Sequence, residues 1–309
     1  MDLSSLDSPL ESLRAGRFLL VGYLPAAASV LFVLVLVWAG APLGPRGGDH
    51  LSFKHAWTVA SGLSVGEVVL LVIGVTLIAA VLAPLQLSLM RVLEGGWPRF
   101  LGSGLALKLQ RRRRDRLVTA SALPDLTPAT VVRAGRAAAR LRRRFPLPDH
   151  LLRPTALGNA LAAMEDLAGR DYGLDAVVAW PRLYPLLGEP VRAVVDDRRD
   201  IMDAAGRLAV TAAVTALVTV GLTWDAAWWW LLALVPAVLA VVAYSGAVAA
   251  AVAYGEAVRA AFDLHRFDLL TPLRLPMPAD PAAERAQNQE LCGMWRQGVP
   301  FTGPYRRES

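Results

Sequence analysis

The chain has one cysteine, Cys292, two lysines, Lys54 and Lys108, and no Lys, Arg or Glu anywhere between Leu208 and Tyr254. The lone cysteine excludes a disulfide framework or a cysteine-based metal site within one chain. With so few lysines, the net charge of +6 is carried by arginine. No phosphate-binding glycine loop, nucleophile elbow or His-rich metal pattern is read, so no catalytic residue, metal or cofactor is assigned. His50 and His55 do not share a helix face, which speaks against a metal site in their loop. No basic segment with a small-residue cleavage site precedes the first apolar block, so no cleaved signal peptide is expected.

What is abundant is apolar mass. Hydrophobic residues make up 55% of the 309 positions, above the roughly 45–50% of soluble proteins, and they fall in blocks. The strongest is a helical hairpin, Leu208–Tyr254, broken only by Asp225. Each of its arms can cross hydrocarbon about 30 Å thick. Trp224 and Trp228-Trp229-Trp230 surround its turn, where an interfacial aromatic belt sits. Two earlier blocks, Phe18–Ala41 and Val65–Met90, form a first hairpin. Ser64 and Glu67 have the spacing of a capping box at the start of the second block, and Pro84 is expected to kink it. Arg46–Leu63 reads as a short loop between them. The fold class is therefore an all-α integral membrane protein, two transmembrane hairpins (four spans) flanking a helical cytoplasmic domain.

The corresponding segments are 1–17 (cytoplasmic N-terminus), 18–92 (first hairpin), 93–207 (basic helical domain), 208–255 (second hairpin) and 256–309 (C-terminal helices and tail). Leu3, Leu6, Leu10 and Leu13 give the N-terminus either an amphipathic helix on the bilayer or a solvated end. Within the insert, Thr127-Pro128 marks a helix start. That helix runs to Phe145, with Val131, Ala134, Ala138, Leu141 and Phe145 on one face and arginines on the other. A charged helix from Glu189 leads into the third span, the fourth extends through Glu256, Arg259 and Asp263, and Asp280-Pro281 caps a last helix. Segments 91–116, 198–207 and 259–274 carry an excess of arginine over carboxylates, Arg14 and Arg17 precede the first block, 42–64 is nearly neutral, and the turn at Asp225 has no basic residue. The positive-inside rule then puts both termini and the insert in the cytoplasm of a bacterial inner membrane.

Three patterns carry candidate function. Arg111, Arg112, Arg113, Arg114, Arg140, Arg142, Arg143 and Arg144 suit anionic lipid headgroups or a cytoplasmic protein partner, or serve only as topogenic charge. Nucleic acid is not expected, because no aromatics interleave to stack bases. Thr211, Thr215, Thr219 and Thr223 form one ridge of the third span, and Ala243, Ala247, Ala251 and Gly255 form a small-residue ridge of the fourth. These either pack helices or line a polar path in a homo-oligomer. Asp196, Asp200 and Asp203 share a helix face that could hold a divalent cation, or belong to a salt-bridge ladder with Arg198, Arg199 and Arg207.

The run Leu157-Gly158-Asn159-Ala160-Leu161, Tyr172-Gly173-Leu174-Asp175-Ala176 and Trp180-Pro181-Arg182-Leu183 resembles segments of uncharacterised bacterial four-span membrane proteins. So does Tyr254-Gly255 followed by Ala261–Leu270. The resemblance implies the pairing of this insert with a four-span layout and carries no activity or site residues. Three functions fit these residues. One is a non-enzymatic membrane platform or sensor acting through its basic domain. The others are a homo-oligomeric pore or membrane-perturbing effector, and a metal-dependent lipid-active enzyme.

Overall fold

The computed structural model describes residues 23–40, 51–96, 102–122, 127–224 and 226–305, with backbone alone for 82–87 and 227. Among them every regular element is helical. The α-helices are α1 (Leu24–Trp38), α2 (Phe53–Ser61), α3 (Val65–Leu93), α4 (Ser103–Ser121), α5 (Pro128–Arg144), α6 (Ala156–Leu167), α7 (Ala176–Leu183), α8 (Glu189–Thr223), α9 (Leu234–His265) and α10 (Pro281–Gln297). The expected N-terminal helix, the start of the first apolar block, His50 and Asp225 lie outside the described residues, as does the side chain of Pro84.

Several helix starts follow from local chemistry. The Ser64 backbone N–H and hydroxyl both donate to the Glu67 carboxylate, at 2.7 and 2.8 Å, and the Glu67 N–H donates back to Ser64 Oγ at 3.4 Å. Such a box occupies donors that a helix N-terminus otherwise leaves open. Thr127 Oγ1 accepts from the Thr130 N–H ahead of Pro128 in α5. Asp280 accepts from the Ala283 N–H at 2.8 Å ahead of Pro281 in α10.

The loop expected over Arg46–Leu63 is helical from Phe53 to Ser61, because Ser52 caps it and Ala56 is buried. This short α2 meets the following helix at 114°. A local cap and one buried contact suffice for two turns that hydropathy does not mark.

The chain divides into two compact units, Met1–Arg91 with Asp203–Ala247, and Val92–Met202 with Val248–Ser309. In the first unit, Leu36, Ala39, Leu51, Ala56 and Ala226 form a buried cluster, with Phe32, Trp38 and Trp229 packed against it. Trp229 stacks on Trp228 at 4.5 Å and meets Phe53 edge-on at 5.5 Å. Elsewhere this unit presents apolar side chains outward, among them Leu70, Leu77, Leu217, Val238 and Val241.

Two described helices are long and apolar enough to cross a membrane, α8 and the helix Trp228–Leu269 that contains α9. A third is added if α2 and Val65–Val81, bent at their break, count as one span. Four spans are expected from the sequence, and the shortfall lies in the first hairpin. There α1 has 15 described residues, fewer than the roughly 20 a span requires, and α3 qualifies only together with α2.

In the second unit α6 is the most enclosed helix, buried continuously from Leu157 to Ala163. A Cβ at Gly158 would lie 2.2 Å from the Glu94 carbonyl oxygen, so only glycine allows this approach. The turn 169–175 is clamped by α10. Asn288 donates to the Tyr172 carbonyl and Arg285 to the Asp171 carbonyl, both at 2.8 Å, while Arg296 pairs with Asp175. Gly173, at φ +78°, accommodates the Arg285 backbone, which a Cβ there would meet at 2.7 Å. Phe262 of α9 is fully buried beside Trp180, 5.9 Å away.

Candidate functional site

The arginines occupy a helical hairpin, α4 packed on α5. Ala134 and Ala137 are the buried residues of α5, and Phe145 closes the helix from a buried position. Ala138 and Leu141 are half-buried and Val131 is exposed, so the seam lies closer to Ala137 than the apolar spacing suggests. The opposite face turns Arg133, Arg136, Arg140, Arg142, Arg143 and Arg144 to the surface, and α4 does the same with Arg111, Arg112, Arg113 and Arg116. Arginines in the last turn of α5 also complement the negative end of its dipole.

Arg114 differs from its neighbours. Half-buried, it pairs with Asp149 and donates to the Leu147 carbonyl at 3.1 Å, fastening α4 to the turn after α5. Hydrogen bonding from Arg114, reinforced by its charge and that of Arg111, holds the Asp149 carboxyl below its ordinary pKa. Arg114 is thus a structural member of the predicted cluster, and Arg111–Arg113 are its outward-facing part.

A concave site lies where the end of α5 meets α9. A cavity of about 330 Å³ is lined by Arg142 and Arg143 from α5 and by Glu256, Arg259 and Asp263 from α9. Arg143 Nε donates to Glu256 Oε1 at 2.7 Å. The Asp263 carboxylate accepts from the Tyr172 hydroxyl at 2.8 Å; burial, reinforced by that bond, raises the phenol's pKa above its usual value. Arg259 is half-buried. Burial lowers its pKa; Glu256 and, more weakly, Asp263 oppose that shift, and the like charges of Arg143 and Arg142 add to it. Among the described residues neither Arg142 nor Arg259 makes a hydrogen bond or ion pair. Sequence reasoning places Arg142 and Arg143 in the basic cluster but omits Arg259. The available signal is the recurrence of Glu256, Arg259 and Asp263 along one side of a helix beyond the apolar run.

The two ridges of the second hairpin are buried at most positions. Thr215, Thr219 and Thr223 donate their hydroxyls to the carbonyls of Thr211, Thr215 and Thr219 at 2.7–2.8 Å. These donors are satisfied inside their own helix, an arrangement that suits packing better than a polar path. Ala243, Ala247 and Ala251 are buried, the last two completely. Gly255 faces α6, where a Cβ would lie 3.1 Å from that of Met164.

Other expected chemistry is not assembled. Among the described residues no group of three His, Cys, Asp or Glu side chains could hold a metal ion. Asp196 accepts from the Tyr184 hydroxyl at 2.7 Å. Burial pushes the Cys292 thiol up to about 11, against a smaller opposing effect of Arg182, so it is neutral at physiological pH. Gly62-Leu63-Ser64-Val65-Gly66 does have the spacing of a nucleophile elbow, contrary to the sequence reading. Its setting is helix–turn–helix, with the Ser64 hydroxyl bonded to Glu67, whereas an elbow requires a strand before the turn. No protein-family model, curated protein or solved structure matches the chain.

Proposed function

We propose that this is a non-enzymatic, four-span inner-membrane protein with both termini cytoplasmic, whose basic helical domain is a platform on the anionic inner leaflet. The observation that carries the reading is the α4–α5 hairpin, which displays ten arginines at its surface while fixing their backbone in two packed helices. Basic residues beside an anionic leaflet gain about 1 kcal/mol each. Rigid presentation adds to this by avoiding the ordering cost of a disordered basic tail. Outward-facing Leu, Val and Ile on α3, α8 and α9 suit contact with lipid. A cytoplasmic protein bound through the same domain, or a second copy of the chain, is compatible with this role.

The test is hydrogen exchange of the full-length chain in nanodiscs. Amides of α4 and α5 should exchange more slowly in phosphatidylglycerol discs than in phosphatidylcholine discs. About 0.5 M salt should remove most of the difference, because screening then acts within a few ångströms. Changing Arg111, Arg112, Arg113, Arg140 and Arg144 together to Gln should remove it at low salt. Equal exchange of the wild type in both lipids would leave the arginines a topogenic role alone.

A further inference from the structure

We propose that Arg142, Arg143 and Arg259 form a discrete pocket for one phosphate group, carried by an anionic phospholipid or free in solution. This deepens the platform reading and rests on it for the position of the pocket at the leaflet. It differs from that reading in kind: the hairpin attracts a charged surface, whereas the pocket holds one ligand group.

The argument begins with charge. The cavity contains three guanidinium groups and two carboxylates, and both carboxylates are engaged. Glu256 is taken by Arg143, and Asp263 accepts from Tyr172. The Tyr172 hydroxyl is neutral, so Asp263 keeps its charge, and three guanidinium groups against two carboxylates leave an excess of one positive charge in the same small space, with Arg259 already half-withdrawn from water. Placing cations together this way costs free energy in the empty pocket, and an anion between them would offset that cost. Guanidinium forks suit phosphate oxygens in particular, because parallel N–H donors match two oxygens at once.

Position points the same way. The apolar run of the fourth span ends at Tyr254. At 1.5 Å of rise per residue, Arg259 lies about 7–8 Å further along α9. The headgroup region adds roughly 5–7 Å to the hydrocarbon on each side, so the pocket falls near the level of lipid phosphates. Ala139 and Ala260 also line it, and their small side chains leave room beside the guanidinium groups.

The full-length chain in a neutral detergent is titrated, at constant ionic strength, with a short-chain phosphatidylglycerol in one arm and inorganic phosphate in the other. Binding is read as the rise in Tm and by native mass analysis. The wild type should saturate in at least one arm. Saturation with the lipid alone identifies a headgroup as the occupant. Saturation with inorganic phosphate identifies an anion site that needs no lipid tail. Arg259→Gln should raise the half-saturating concentration about tenfold or more, and Arg259→Lys should fall between, since a point charge replaces the fork. Arg142 is exposed, so Arg142→Gln carries the test if Arg259→Gln fails to fold. The triple change of Arg111, Arg112 and Arg113 to Gln should leave this titration intact while weakening the salt-sensitive protection of the hairpin. A wild type that saturates in neither arm, or pocket variants that titrate like it, would overturn the pocket. Continued lipid-dependent protection of α4 and α5 in those same variants would show that the platform reading survives without it.

Discussion

Replacing Asn159 with Leu should lower the Tm of the full-length chain by roughly 6 °C or more, a loss of about 3 kcal/mol. Asn159 is completely buried in α6 and bonds the segment before the helix on three sides. Its Oδ1 accepts from the Arg153 N–H at 2.8 Å, and its Nδ2 donates to the carbonyls of Arg153 and Thr155 at 2.8 and 2.9 Å. Leucine fills similar volume but leaves the Arg153 N–H and carbonyl without those partners, while the Thr155 carbonyl keeps the backbone N–H of residue 159. Each such group costs about 1–3 kcal/mol when water cannot replace the bond. Asn159→Asp should be no milder, because it keeps the acceptor but turns a negative oxygen toward two carbonyls. Val177→Ala, at an exposed position of α7, should change Tm little. Scanning calorimetry in one detergent compares all three, and a wild-type Tm for Asn159→Leu would show that the segment 153–155 is held by other contacts.

The second large effect is expected in the hairpin. Ala247 and Ala251 have no accessible surface, so Ala247→Leu or Ala251→Leu should overpack the interior at a cost of about 1–3 kcal/mol. Val242 is 62% exposed on the same helix, and Val242→Leu should be close to neutral. Thr215→Val separates packing from conduction. The Thr215 hydroxyl donates to its own helix at Thr211, so its loss should remove one modest bond and leave ion flux in liposomes unchanged. A drop in flux with unchanged oligomer mass would instead favour a homo-oligomeric pore. Equal tolerance of Leu at 242, 247 and 251 would contradict the buried ridge.

Much of the helix pattern is legible in the sequence where the determining chemistry is local. Ser64 with Glu67, Thr127 with Pro128 and Asp280 with Pro281 announce their helices because a cap needs partners only two or three residues away. The extension of α9 through Arg259 is legible for a similar reason, since nothing in Glu256–Asp263 breaks a helix. Hydropathy marks which segments are apolar but not how they bend, and the first hairpin shows the difference. Its α1 is short where described, and α2 turns sharply against α3 at a Gly-Leu-Ser break.

The site is less legible than the fold. Arg114 and Arg111 look alike in a row of four arginines, yet only the first meets the Leu147 carbonyl and the Asp149 carboxylate. Arg142 and Arg259 are more than a hundred positions apart, and only the packing of the second unit brings them to one cavity. Asn159 appears in sequence as one residue of an apolar stretch. Its three bonds depend on the backbone path from Arg153 to Thr155, which no spacing rule describes.

The orientation of the chain underlies both the platform and the pocket, and dual compartment reporters test it most directly. One set is fused after Ser309, a second inserted within 115–130, and a third placed near Gly48, each as a phosphatase active only outside the cytoplasm and a fluorescent protein active only within it. The arginine asymmetry predicts fluorescence from the first two positions and phosphatase activity from the third. Phosphatase activity at Ser309 or within 115–130 would contradict the account, because it would place the basic hairpin and the Arg259 pocket on the wrong side of the membrane.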